Sequence, residues 1–226
     1  MLRPYENLAQ NAVISFNNRM IRLEAGDLMA VQMASEAEAT FTKTPAKRLF
    51  TVQEYGHMIA AGVLTEDERL ELIRGEIRTM SPIGSRHAAC VKRLLALFNK
   101  QFGDHAIVSI QDPIRLSSTS EPQPDAALLK FRDDFYAAEL PLANDVLLVV
   151  EVSDSTLEYD RNEKMTLYAQ ANIAQLWVID LIHELIEQYS QPLHGRYGHV
   201  VTHQRGETIA FEQAAFAIND ILGGAN

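Results

Sequence analysis

The run Leu147-Leu148-Val149-Val150-Glu151-Val152 constrains this chain more than any other segment. Continuous apolar residues over that length predict a strand covered on both faces, as in the middle of an α/β sheet. An ionised carboxylate inside such a strand is costly unless a second charge or a metal ion compensates it. Whatever neutralises Glu151 decides the chemistry available to the strand.

Two neighbours in sequence are candidates. Asp125, after Pro124, opens the apolar segment Ala126-Ala127-Leu128-Leu129, which predicts a strand preceding that of Glu151. If the two strands pair, their carboxylates sit side by side, and such a pair favours a shared proton or a hard cation. Mg²⁺ takes one or two carboxylates and completes its shell with water and phosphate oxygens, which suits Asp125 with Glu151. No histidine pair at helical spacing points to zinc instead.

The second neighbour is Lys164. Asp160-x-x-Glu163 has the form of a capping box, so a helix is expected over 161–171 with Asn172 as its stop. Lys164 then falls in the first turn and shares a face with Tyr168 and Ala171. A helix packed back on the sheet brings Lys164 over the carboxylates, where it can stabilise charge on a phosphate oxygen or orient a water. Ser153 and Ser155 add hydroxyls at the strand exit. Each residue also has a plainer reading. Glu151 with Lys164 can be a structural ion pair, and Pro124-Asp125 a turn. His87 can be a satisfied core histidine, Tyr168 and Trp177 core, and Glu71 and Glu76 hairpin surface charges.

The rest of the chain predicts an α/β arrangement: a mixed central sheet flanked by helices, with added antiparallel hairpins. Thr51-x-x-Glu54 is a capping box for a helix to about Ala61. Residues 71–80 predict two short strands around an Arg74-Gly75 turn, and Ser81-Pro82-Ile83-Gly84 breaks the pattern. Val91, Leu94, Leu95, Phe98 and Phe102 form one helical stripe, with His87 a turn ahead on the same face. Strands are expected over His105–Leu116, over Leu176–Leu181 with Leu185–Tyr189 as hairpin partner, and in a last hairpin from Gly195 to Phe211. Residues 1–45 differ in character and are expected to be a weakly ordered extension to a single domain over 46–226. Met33 is a second candidate start beside Met1.

Bulk properties limit the function classes. The net charge of −10 argues against a protein that coats nucleic acid non-specifically, but leaves room for an enzyme that meets it at a local, cation-bearing cleft. The single cysteine, Cys90, excludes an intramolecular disulfide and a cysteine zinc cluster, and fits a reducing cytoplasm. No apolar stretch is long enough to span a bilayer.

Taken together, Glu71-Leu-Ile-Arg-Gly-Glu76, Met80-Ser-Pro with His87, Pro124-Asp125, Val150-Glu151-Val152-Ser153, Lys164 with Tyr168, and Leu176-Trp177-Val178-Ile179-Asp180 resemble the restriction-endonuclease-like PD-(D/E)XK nucleases. Within them, the chain is most similar to the bacterial Uma-two branch, over roughly residues 46–211. The resemblance implies a restriction-endonuclease-like core and Mg²⁺-dependent hydrolysis of phosphodiester bonds, with Mn²⁺ as a possible substitute. DNA is the favoured nucleic-acid substrate, and a homodimer is consistent with cutting both strands. It implies that Asp125 and Glu151 bind metal, that Lys164 acts on the water or the transition state, and that Glu71 and His87 lie near the site. The superfamily lysine two residues after the second acid is Ser153 here, so Lys164 must take its place. An inactive binding or regulatory module on the same fold is the alternative.

Overall fold

The computed structural model describes residues 46–65, 68–154 and 163–224, and the backbone of 12–16 and 19–23. The chain divides into two compact units, Met1–Lys47 and Arg48–Asn226. In the first, β1 (Ala12–Phe16) and β2 (Arg19–Leu23) pair as an antiparallel hairpin. The expected weak order of the rest of 1–45, and the choice of Met33 as a start, lie outside the described residues.

The second unit opens with α1 (Val52–Ala60), whose capping box forms as the sequence predicts. The Thr51 amide donates to Glu54 Oε2 at 2.9 Å, and the Glu54 amide donates back to Thr51 Oγ1 at 3.2 Å. The buried Tyr55 donates its hydroxyl to the carbonyl of Leu70 (3.1 Å), tying α1 to β3 (Leu70–Ile73). β3 and β4 (Glu76–Thr79) form the expected hairpin. Its turn residues Arg74 and Gly75 both have positive φ, 50° and 79°, the geometry that matches strand twist in two-residue hairpins. A Cβ at Gly75 would also lie 2.6 Å from that of Leu49, so the position needs glycine for space as well as for φ.

The long helix α2 (Ser85–Phe102) follows. Its stripe of Val91, Leu94, Phe98 and Phe102 is buried as expected, with Cys90 added to it and Leu95 only half-buried. Next come β5 (Ala106–Ser109), β6 (Ala126–Lys130), β7 (Val146–Ser153), α3 (Met165–Gln170), β8 (Gln175–Asp180), β9 (Leu185–Leu193) and β10 (Arg196–Gln204). The six strands among these build the central sheet in the order β10-β9-β8-β7-β6-β5. Only β7 and β8 run parallel, with α3 in the connection between them. The remaining pairs are antiparallel, so the sheet is mixed, as the sequence predicts.

Burial on both faces of β7 follows from its alternation. Leu148, Val150 and Val152 join α2 in one core, where Phe98, Phe102, Trp177, Phe211 and Phe216 pack at centroid distances of 5.5–6.4 Å, edge to face except for the tilted pair Phe102–Phe216. Val149 faces the other way, with Ala127, Val178, Ile173 and Tyr168. Glu151 shares the parity of Val149 and points to the α3 side.

Three expectations need correction. β5 ends at Ser109 instead of running to Leu116, because Gln111 takes a left-handed φ of 57° and turns the chain away. Gly195 closes a hairpin instead of opening one. With His194 it makes a positive-φ turn that returns β10 onto β9, while β11 (Thr208–Phe211) pairs with β12 (Ala214–Ala217). Among the described residues the crossover helix is α-helical over Met165–Gln170, with Lys164 at its N-cap instead of inside its first turn and Ala171 at its C-cap; residues 155–162, including Ser155 and Asp160, lie outside the described residues. The chain closes its cores with α4 (Ile218–Leu222). No described helix is long and apolar enough to cross a membrane.

Candidate active site

The register of the central strands assembles the site. β6 pairs with β7 as Ala126↔Val150, and the antiparallel ladder carries Asp125 alongside Glu151. Asp125 is 7% exposed and Glu151 3%. Asp125 Oδ2 accepts from the Val152 amide at 2.8 Å and lies 3.0 Å from His87 Nε2, while Oδ1 accepts from Gln111 Nε2 at 3.2 Å. Burial pushes this carboxyl up, but the His87, Val152 and Gln111 contacts outweigh it and hold Asp125 below the ordinary carboxylate range. An ionised carboxylate can only accept, so Nε2 of His87 carries the proton in this contact. His87 Nδ1 is buried with no hydrogen-bond partner among the described residues.

Glu151 has a different set of neighbours. Tyr168 donates its hydroxyl to Oε1 at 2.6 Å, and Lys164 Nζ lies 3.3 Å from Oε1 and 3.4 Å from Oε2. The same Nζ is 3.1 Å from Glu71 Oε2. Lys164 thus bridges two carboxylates that come from β3 and β7. Glu71, read in isolation as a hairpin surface charge, is 2% exposed. The segment at Thr119–Glu121 adds onto the β3–β4 hairpin beside it, with the Glu121 amide donating to the Leu72 carbonyl at 2.7 Å. The Gln123 amide approaches Glu71 Oε2 at 3.4 Å.

All five residues singled out by the sequence, Glu71, His87, Asp125, Glu151 and Lys164, line one cleft of about 220 Å³. Ser153 is buried but does not line it. Three further residues contribute. Tyr168 reads in the sequence either as core or as a neighbour of Lys164 on one helix face, and the structure directs both side chains to Glu151. Gln111 and Gln123 lie in irregular segments, where no periodicity marks them. The Ser81–Gly84 breaker forms a wall of the cleft, held by a 2.7 Å bond from Arg69 Nη1 to the Ser81 carbonyl.

The donor set can be tested against a metal. Among the described residues, no three His, Cys, Asp or Glu side chains stand close enough to hold an ion by themselves. Among the described residues, the cleft nevertheless gathers three buried carboxylates, Glu71, Asp125 and Glu151, around the buried Lys164. All three acidic side chains offer oxygen donors, and Asp125 and Glu151 are adjacent in the sheet. That suits a hard cation such as Mg²⁺, which needs few protein ligands and keeps its waters.

Comparison with known proteins gives the following. A family model described as "Putative restriction endonuclease", Uma2, matches residues 52–218. No curated protein matches the chain. The crystal structure of a putative nuclease belonging to DUF820 from Anabaena variabilis is similar at a TM-score of 0.60 and 13% identity. The match covers 76% of this chain and 97% of that one, and at this identity it speaks for the fold.

Proposed function

The chain belongs to the Uma2 family of restriction-endonuclease-like proteins, and we propose that it is a metal-dependent endonuclease that hydrolyses phosphodiester bonds in DNA. The observation that carries this reading is the cleft in which Asp125 and Glu151 lie side by side with Lys164 Nζ against Glu151. Asp125 and Glu151 would hold Mg²⁺, with Mn²⁺ able to substitute, as in the PD-(D/E)XK nucleases the sequence resembles. Bound there, the ion would polarise phosphoryl oxygens and acidify a water.

The protein's own groups have distinct tasks. Lys164 offsets negative charge on the phosphate as the bond to the leaving oxygen breaks. Tyr168 fixes the orientation of Glu151, and His87 with the Val152 amide fixes that of Asp125. Glu71 holds Lys164 from the opposite side. Cutting both strands requires two such clefts, which a homodimer supplies. The proposed setting is the cytoplasm.

The test is cleavage of supercoiled plasmid and of RNA by purified protein with Mg²⁺, with Mn²⁺ and with chelator. Metal-dependent nicking of DNA is expected, with Glu151→Ala reduced by at least about 100-fold. Cleavage that survives Glu151→Ala, or that ignores the chelator, overturns the proposal.

A second reading is an inactive binding or regulatory module on the same fold. It is favoured by the pairing of Lys164 with both Glu71 and Glu151, a buried ion-pair arrangement that can be purely structural. Titration calorimetry separates the two. Heat from Mn²⁺ binding that disappears in Glu151→Ala rejects the module, and a flat trace with the parent protein supports it.

A further inference from the structure

Beside the cleft lies a second, larger cavity of about 600 Å³ with the opposite charge. Arg86, Arg93 and Arg205 line it, and among the described residues Glu184 is the one acidic residue in its wall. Arg205 Nε and Nη2 clasp Glu184 at 2.8 and 3.0 Å, and this contact holds the Glu184 carboxyl below its ordinary range. Among the described residues, three guanidinium groups thus face one carboxylate in the pocket lining, in a chain whose net charge is −10.

Part of this cluster is structural. Arg93 Nε and Nη2 donate to the carbonyls of Ile221 and Leu222 at 2.8 and 2.7 Å, and Arg205 Nη1 donates to that of Gly223 at 2.7 Å. Those bonds cap the end of α4, but carbonyls do not neutralise the guanidinium charge. Arg86 differs from the other two. Its side chain is 56% exposed, one nitrogen donates to the Leu181 carbonyl, and Nη1 is 3.9 Å from Asp154. Asp154 itself lines the catalytic cleft.

The two cavities meet along the first turn of α2. Gly84 and His87 face the cleft, whereas Ser85, Arg86 and Ala89 face the arginine pocket. A strand with its scissile phosphate over Asp125 and Glu151 and its path along this turn would bring its flanking phosphates to the guanidinium groups. Arginine suits that role because its fork matches two phosphate oxygens at once.

We propose that the Arg86–Arg93–Arg205 pocket is a phosphate subsite that holds the nucleic-acid backbone next to the bond being cut. This rests on the nuclease reading for its substrate, and it answers how so acidic a chain binds a polyanion: the positive charge is concentrated beside the cleft. It is a positioning site, and binding is its primary readout.

The experiment measures binding of a fluorescent DNA duplex by anisotropy across a salt series, with the full chain and without Mg²⁺ or Mn²⁺. Arg86→Gln is the informative variant, because Arg86 is exposed and its removal leaves the α4 caps intact. Expected are an affinity loss of about three- to tenfold and a fall of about 1 in the slope of log Kd against log salt, both recovered largely by Arg86→Lys. In cleavage assays KM rises and kcat holds. Unchanged affinity and slope in Arg86→Gln overturn the subsite, even where the parent protein cuts DNA. An Arg86-dependent slope in a protein that never cuts DNA supports the subsite and removes the nuclease reading instead. Calorimetric binding of inorganic phosphate that is lost in Arg86→Gln, with duplex affinity unchanged, assigns the pocket to a free phosphate and overturns the strand subsite.

Discussion

Lys164 is the residue on which the site turns, because its ammonium lies within 3.4 Å of carboxylate oxygens from two different strands. Lys164→Met keeps the stem volume and removes the charge, leaving Glu71 and Glu151 facing each other in a buried space. Breaking a buried pair from one side costs about 3–5 kcal/mol, so urea unfolding is expected to show a loss of that order as well as loss of activity. A shift below about 1 kcal/mol means the two glutamates do not depend on Lys164. Asp125 makes a prediction about pH. Its folded-state carboxyl is held below the ordinary value, so between that value and its own the unfolded chain binds more protons than the folded one. Its contribution to stability is present above about pH 4 and is lost as the pH falls further. In chelator, Asp125→Asn is expected to flatten the stability curve on the acid side; an unchanged curve contradicts the assignment. At this scale Glu151 was legible because a charge inside an apolar run has no inexpensive explanation. Tyr168 was not, because an aromatic residue at helical spacing has the same pattern whether its hydroxyl is used or idle.

Helix α2 carries three roles on one face. His87 reaches Asp125, Cys90 and Leu94 are fully buried, and Phe98 and Phe102 anchor the aromatic core. Its 3.6-residue period made it the most legible element in the sequence. The thiol of Cys90 tests how tightly that face is held. Burial pushes it up to about 12, so it stays protonated in the folded protein at pH 8. Reaction with a thiol reagent at that pH is expected to track global unfolding, and fast stoichiometric labelling of the native protein would show that α2 opens locally. The shorter elements were harder to place. The end of β5 depends on one left-handed residue, Gln111, and the pairing of β10 on β9 depends on the His194-Gly195 turn. Neither is marked by an apolar pattern, since the edge strand β10 is exposed along most of its length.

For the whole molecule, the proposed cation site at Asp125 and Glu151 carries a prediction about global stability. A ligand that binds only the folded state raises stability as its concentration exceeds Kd. Mn²⁺ is expected to raise the melting temperature of the parent protein by several degrees at saturation and to leave Glu151→Ala unmoved. An equal shift in both places the ion elsewhere on the surface. The charge distribution belongs to this scale as well. A net charge of −10 argued against nucleic-acid coating, but it is a sum, and a sum does not show that three arginines gather beside the cleft.

The amino-acid sequence by itself determined the mixed α/β class, the buried strand, the main helix and the requirement that Glu151 be compensated. These follow from periodicity and from the cost of burying charge, and both act locally. Only the tertiary structure decided that Glu71 belongs with Lys164, that Tyr168 orients Glu151, and that His87 and Gln111 hold Asp125. Glu71 and Glu151 are joined through a single ammonium, yet they come from strands 80 residues apart. Such contacts are set by strand register and by how one segment covers another, and no local pattern in the chain encodes them.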